Sequence, residues 1–251
     1  MIIIKSKSEL EVMKEAGRIS ALALRVVCEA VAPGVTTAEL DELAEETIRK
    51  EGAVPSFLGY GGFPGSICAS VNHEVVHGIP SKRAKLNEGD IVTIDVGAIY
   101  DGYNGDNANT VGVGSIDSES QRLIDTTRRA LYAGIEQAVI GNHLGDVSAA
   151  IGAVGDAAGL GIVREYVGHG IGQNMHEDPN IPNYFDPHVG MGPTLRAGMC
   201  LAIEPMFNLG GDDVRTLHDG WTVITRDKQR SAQIEHTIAI TEDGPLILTQ
   251  E

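Results

Sequence analysis

Leu86-Asn87-Glu88-Gly89-Asp90-Ile91-Val92-Thr93-Ile94-Asp95 has a near copy 109 residues later, Leu195-Arg196-Ala197-Gly198-Met199-Cys200-Leu201-Ala202-Ile203-Glu204. The leucine, the glycine and the apolar run match, and Asp95 falls where Glu204 falls. A strand interior has little reason to hold an acid, because a buried charge must be paired or bound to metal. The same acid at matched positions of a repeat points to a site built where two halves meet.

Outward from these strands, the helices repeat too. Ser8-x-x-Glu11 has the form of a capping box. The helix after it runs through Leu10, Met13, Ile19, Leu22, Val26 and Val27 and ends before Pro33-Gly34. Thr36-x-x-Glu39 opens a second, with Leu40, Leu43, Ala44, Thr47 and Ile48 on one face and Arg49-Lys50 and Gly52 at its close, where a C-terminal signal belongs. Later, Ser118-x-x-Gln121 opens a helix that Gly141-Asn142 breaks, and Asp146 to Ala158 forms another. The second helices of the two halves match at an offset of 107, close to 109. Two independent elements thus predict an internal duplication, each half reading helix, helix, strands.

His77-Gly78-Ile79 and His169-Gly170-Ile171 match at an offset of 92. The differences place an extra segment holding Phe57, Tyr60, Phe63 and Cys68 in the first half, and another near Gln173 to Pro193 in the second. Insertions that break a repeat are natural places for function.

The chain has 251 residues with 42% hydrophobic content, which suits a globular protein read as one domain. No apolar run reaches the ~18–20 residues of a membrane span. Met1-Ile2-Ile3-Ile4-Lys5-Ser6 lacks the pattern of a signal peptide and reads as a short edge strand. Three cysteines, Cys28, Cys68 and Cys200, are an odd number that favours reduced thiols and a cytoplasmic location. A net charge of −16 repels nucleic acid and anionic membrane. Lys82-Arg83-Ala84-Lys85 is a local basic exception.

Ile91 to Tyr100 alternates β-branched residues, Asp101-Gly102 is a two-residue hairpin turn, and Tyr103 to Val113 returns. Residues whose numbers sum to 203 then face each other, so Asp95 lies opposite Ala108 and Asp106 opposite Gly97. The two acids become diagonal neighbours on one face, roughly 7–8 Å apart at the backbone, with Gly97 leaving room between them. Glu204 and Glu235 lie in strand-like runs, and His169 sits in a glycine frame read as a loop that exposes its ring. Singly, Asp95 reads as a strand-end acid, His169 as a satisfied loop histidine and Glu235 as a surface acid. Four carboxylates and an imidazole together suit Mn, Fe, Co or Zn, and bridging carboxylates favour two metals roughly 3.5–4 Å apart.

Asn72-x-x-x-Val76-His77-Gly78-Ile79-Pro80, Ile94-Asp95-Val96-Gly97, Asn104-Gly105-Asp106, Gly168-His169-Gly170-Ile171-Gly172, Met175-His176-Glu177-Asp178-Pro179, Ile203-Glu204-Pro205-Met206, Asp219-Gly220-Trp221-Thr222 and Gln233-x-Glu235-His236-Thr237 follow in order. This set resembles type I methionine aminopeptidase over essentially the whole chain. The resemblance implies an α/β (α+β) pita-bread fold with pseudo-twofold symmetry, a central antiparallel sheet covered by helices. It implies one catalytic domain over 1–251, with halves of about 1–113 and 114–251. The large helical insertion of type II enzymes and the zinc-binding extension of eukaryotic type I enzymes have no counterpart here.

By the same resemblance Asp95, Asp106, His169, Glu204 and Glu235 are the ligands of two divalent ions, Co2+, Mn2+, Fe2+ or Zn2+. Asp106 and Glu235 bridge, Asp95 completes one shell, and His169 with Glu204 the other. A metal-activated hydroxide attacks the first peptide bond with Glu204 as general base. His77 hydrogen-bonds the leaving amide nitrogen and His176 supports the oxyanion. Phe57, Tyr60, Phe63, Cys68, Met175 and Trp221 form the methionine pocket. Phe57, Met175 and Asn107 depart from the commoner bacterial residues, and Asn107 is expected to alter hydrogen bonding around the metals. The implied partners are peptide and nascent-protein N-termini with a small second residue, and transiently the ribosome through Lys82, Arg83 and Lys85. A monomer is expected.

His73, His143, His188 and His218 read as exposed, and His236 as a structural group rather than a ligand. Two other readings fit this scaffold. A proline-directed dipeptidase or aminopeptidase P usually carries a large N-terminal domain. A non-enzymatic binding module typically loses ligands, and this chain keeps all five.

Overall fold

A computed structural model describes residues 1–251. Helices α1 (Lys7–Ala30) and α2 (Thr37–Lys50) precede β1 (Val54–Pro55), β2 (Ile67–Val71), β3 (Glu74–Val76), β4 (Ile91–Tyr100) and β5 (Tyr103–Gly112). Next come α3 (Ser118–Gln137), α4 (Leu144–Ala158) and ten shorter strands. These are β6 (Gly161–Ile162), β7 (Gly168–Gly170), β8 (Glu177–Ile181), β9 (Cys200–Ile203), β10 (Met206–Asn208), β11 (Val214–Thr216), β12 (Val223–Thr225), β13 (Ser231–Gln233), β14 (His236–Thr241) and β15 (Gly244–Ile247).

Three helix starts differ from the sequence expectation. The cap of α1 is Ser6, not Ser8: its hydroxyl accepts from Glu9 N, and the Glu9 carboxylate accepts from Ser6 N at 2.7 Å. Glu9 also accepts from the Tyr103 hydroxyl at 2.7 Å, a long-range tie that Glu11 does not make. Asp117, rather than Ser118, caps α3 by accepting from Ser120 N, since an aspartate caps at least as well as a serine. Helix α4 begins at Leu144, because the Asp146 carboxylate reaches back to His143 N at 2.7 Å. Thr36 and Glu39 form the expected box on α2.

Met1–Ser6 is no strand. Lys5 N donates to Gly198 O at 2.8 Å, but the Lys5 side chain turns inward, so side-chain contacts rather than a ladder hold the segment.

The hairpin has the expected register, Asp95 opposite Ala108 and Gly97 opposite Asp106. Asp101 and Gly102 have φ of 45° and 81°, both left-handed as this tight turn demands. Strands β1 and β2 share the other edge of β4. A Cβ at Gly105 would stand 2.5 Å from Gly17 N, so this glycine lets α1 lie directly on β5. The apolar face of β4 (Ile94, Val96, Ala98) packs with Ile19, Val27, Leu40 and Ile48 of α1 and α2. In the second half Leu123, Leu131 and Ile151 of α3 and α4 pack with Leu201, Ile203 and Phe207. Each such fully buried side chain contributes ~1.5–3 kcal/mol of transfer free energy.

The second half replaces one long hairpin by two aligned short pairs. Strand β9 pairs β14 with Ile203 opposite His236, and β10 pairs β13 with Met206 opposite Gln233. Both registers sum to 439 (203 + 236 and 206 + 233). The ladder is therefore in step across a break at Glu204-Pro205 and Ile234-Glu235. Strand β5 meets this pair along a seam: Glu235 N donates to Ala108 O at 2.9 Å, Gln233 N to Thr110 Oγ1 at 3.0 Å, and Thr237 Oγ1 to Asp106 O at 2.8 Å. The seam brings the carboxylates of both halves together.

Candidate active site

Thirteen residues line one cavity of about 130 Å³: Asp95, Asp106, His169, Glu204, Glu235, His77, His176, Phe57, Tyr60, Phe63, Cys68, Met175 and Trp221. These are the thirteen that the sequence reading singled out.

Asp95, Asp106, His169 and Glu235 are 8%, 3%, 4% and 2% exposed. One donor atom from each of Asp106, His169 and Glu235 lies within 4.8 Å of the others. His169 Nε2 is 3.7 Å from Asp106 Oδ2 and 3.7 Å from Glu204 Oε1. Asp95 Oδ1, Asp106 Oδ1 and Glu235 Oε1 are buried without a hydrogen-bond partner. Buried oxygens left bare in this way are costly, and a divalent cation would satisfy them.

Burial pushes the Asp95 carboxyl up to about 7. Asp106 rises well above the usual range through burial and then the charges of Asp95 and Glu204, and Glu235 through burial and then the charges of Asp106, Glu204 and Asp95. Glu204 rises through burial and the nearby Asp95, opposed by a 2.9 Å hydrogen bond from Gln233 Nε2. Such a cluster resists full ionisation unless positive charge enters it. Burial also holds the His169 imidazole at about 4. Its Nδ1 lies 2.9 Å from Gly170 O, so the neutral ring donates there and turns the lone pair of Nε2 to the carboxylates.

Burial lowers His77 to about 4 and lowers His176. His77 takes a left-handed φ of 59°, uncommon outside glycine, and its ring packs edge-on to Tyr166 and Trp221. His176 Nδ1 is 2.8 Å from the Tyr60 hydroxyl, and its ring centroid is 4.3 Å from that of His169. The apolar wall is Phe57, Phe63, Cys68 and Met175, all buried, with Phe63 edge-on to Trp221 at 5.2 Å.

Several local expectations are corrected. His169 lies in strand β7, between β8 and β9, and its ring is buried. Glu204 and Glu235 lie in the breaks between strands, not inside them. Gly97 does not open space between the two aspartates: a Cβ there would stand 2.7 Å from Ser56 Cβ and 2.8 Å from Phe57 Cε1. Asn107 faces away from the cavity and accepts from Ser20 Oγ at 2.6 Å. His188 and His218 are exposed, whereas His73 and His143 are half-buried; none of the four lines the cavity. His236 lies 2.8 Å from Thr249 Oγ1.

Gln233 and Tyr166 are contributors to which the sequence assigned no role. The 109-residue offset carries Gly97 to Met206. Asp106 pairs with Gly97 and Gln233 with Met206, so the ladder marks Gln233 as the second-half counterpart of Asp106. The same arithmetic carries Thr93 to Ala202. Ser70 faces Thr93 and His169 faces Ala202, so the counterpart of His169 is Ser70, not His77. Nothing local in the sequence marks Tyr166.

The model of metallopeptidase family M24 matches residues 11–242. A methionine aminopeptidase of Clostridium acetobutylicum is 53% identical over 99% of both chains. The crystal structure of a methionine aminopeptidase from Thermotoga maritima superposes with a TM-score of 0.97 at 48% identity, over 100% of both chains. The chain belongs to metallopeptidase family M24 and its methionine aminopeptidases. A prolidase from Pyrococcus furiosus shares the fold more distantly, with a TM-score of 0.81 and 27% identity, and this chain covers 66% of it. The fold of this M24 hydrolase is the expected pita-bread arrangement, and its buried Asp/His/Glu cluster fits divalent metal. No helix is long and apolar enough to cross a membrane.

Proposed function

We propose that this M24 peptidase removes the N-terminal methionine from peptides and nascent proteins whose second residue is small, using two divalent ions. The observation that carries the reading is one cavity that joins three buried carboxylates, the partly buried Glu204 and a neutral imidazole to an apolar, sulfur-lined slot. Asp95, Asp106, His169, Glu204 and Glu235, which line one cavity, would hold the metal. Bound divalent metal supplies Lewis acidity and lowers the pKa of water toward neutrality.

The protein's own groups account for the other steps. Glu204 takes the proton of the attacking water and passes it on to the departing amine. His77, neutral and held in a left-handed backbone, hydrogen-bonds the amide nitrogen of the scissile bond. Tyr60 Oη lies 2.8 Å from His176 Nδ1, and a hydroxyl donating there would leave the ring proton on Nε2. It serves there as an oxyanion donor, a role worth ~10²–10³ in kcat in comparable sites. Phe57, Phe63, Cys68, Met175, Tyr60 and Trp221 take the thioether, for which aromatic and soft neighbours are favourable. The matched ladders support reading 1–251 as one catalytic domain of two pseudo-symmetric halves. Lys82, Arg83 and Lys85, all exposed, fit a transient ribosome contact in the cytoplasm, with the enzyme a monomer.

Hydrolysis of Met-Ala and Ala-Pro peptides, with Mn2+ or Co2+ added, tests the reading. Turnover of Met-Ala is expected. Its absence with every metal, or preferential cleavage of Ala-Pro, would overturn it.

A further inference from the structure

Lys5 is the one lysine of the chain that is buried. Its Nζ lies 2.5 Å from Glu177 Oε2, and both side chains are 3% exposed. A buried ion pair is a poor device for stability alone, because desolvation offsets the attraction. What it does well is fix geometry, and the geometry here concerns the cavity.

Glu177 directly follows Met175 and His176. Its other oxygen, Oε1, accepts from Asn174 N at 3.3 Å, closing the short turn that carries both residues. Glu177 also opens β8 and pairs with Gly170, the neighbour of His169. The far end of the turn is tied to β5, with Asn104 N and Nδ2 donating to Gly172 O at 2.9 and 3.1 Å. Gly172 makes room for the pair: a Cβ there would stand 2.5 Å from Lys5 Cε and 2.6 Å from Glu177 Oε1. The first residues of the chain reinforce the clamp, Lys5 N on Gly198 O and the Met1 amine on Asp178.

We propose that Lys5 and Glu177 are positioning residues that hold the 172–177 turn so that His176 meets the developing oxyanion. This rests on the oxyanion role given to His176 above.

The test measures kcat and KM on a Met-Ala-Ser peptide with saturating Mn2+, for Lys5→Met and Glu177→Gln, each alone and combined with His176→Ala. Bound metal and circular dichroism are followed in parallel. Misplacement of a group by about 1 Å can cost ~10²-fold. Each single variant is therefore expected to lose roughly 10- to 100-fold in kcat, with KM and metal content near wild type. In the His176→Ala background the same substitutions should change kcat by less than about twofold, as for residues acting through one group. Glu177→Gln, close to isosteric, keeps the test decisive if Lys5→Met does not fold. Equal losses in both backgrounds, loss of bound metal, or wild-type kcat in a folded variant would overturn the proposal alone. Wild-type kcat in His176→Ala itself would overturn the oxyanion reading beneath it.

Discussion

Glu204 and Glu235 face each other across the one break that interrupts both strands of the second half. Ile203 pairs with His236 on one side and Met206 with Gln233 on the other, in a single register. At the break Pro205 has no N–H to give the ladder, Ile234 N reaches Pro205 O only at 3.4 Å, and the two acids line the cavity. The first half has no break, and its acids come from one continuous hairpin. The two halves thus deliver carboxylates to the same cavity by different backbone devices.

The asymmetry bears on Glu204, which receives a hydrogen bond from Gln233 and stands beside the scissile bond in the proposed reaction. Glu204→Ala should lower kcat by ~10²–10⁴-fold, the range for loss of a general base. The fold should survive, because the variant removes one partly buried carboxyl from a cluster whose members repel one another. Circular dichroism and steady-state kinetics check this, and substantial turnover by a metal-loaded Glu204→Ala enzyme would reject the role.

Metal removal should make stability pH-dependent. Asp95 in the folded chain titrates at about 7, above its unfolded value of about 3.9. Asp106, Glu204 and Glu235 are raised in the same direction. A raised carboxyl binds its proton more tightly in the folded state. That contribution is fully present below about pH 4 and is lost as pH rises through about 7. Melting of chelator-treated protein should therefore fall from about pH 5 to about pH 8. Bound Mn2+ should reverse part of that fall, by ~2.7 kcal/mol at a hundredfold excess over Kd. A metal-free melting temperature that rises over this range would refute the account.

Much of the site was legible because the hairpin is strongly specified. Asp101-Gly102 fixes the register, and period-two alternation then puts Asp95 and Asp106 on one face. The same alternation puts Asn107 on the other face, a step the family comparison obscured. His169 was misread because its flanking glycines look like a loop. Here glycine serves close approach instead: a Cβ at Gly168 would run into Ala202 O, and one at Gly170 into Asp178 O. Lys5 and Glu177 stand 172 positions apart, and no local pattern links them. The strand break at Glu204 was hidden because Pro205 reads as readily as a strand end.

Gly97 offers a stability test of one such close approach. A methyl there meets Ser56 Cβ at 2.7 Å and Phe57 Cε1 at 2.8 Å, with both neighbours buried. Gly97→Ala should destabilise by about 1–3 kcal/mol through overpacking and raise KM for methionyl peptides by pressing Phe57 into the slot. Urea denaturation with peptide kinetics measures both. An unchanged midpoint would show that Ser56 and Phe57 yield freely.

The chain is also a substrate candidate for its own activity. If the second residue must be small, Ile2, β-branched and bulky, blocks removal of Met1. Intact mass of the purified protein should include Met1, and an Ile2→Ala variant made in the same host should lack it. The substitution leaves Lys5 and Glu177 in place, so a change in processing would report on the second residue rather than on the clamp. Native protein found without Met1 would contradict the small-residue preference, whereas Ile2→Ala protein that keeps Met1 would show that the N-terminal segment is shielded by its own contacts, Met1 on Asp178 among them.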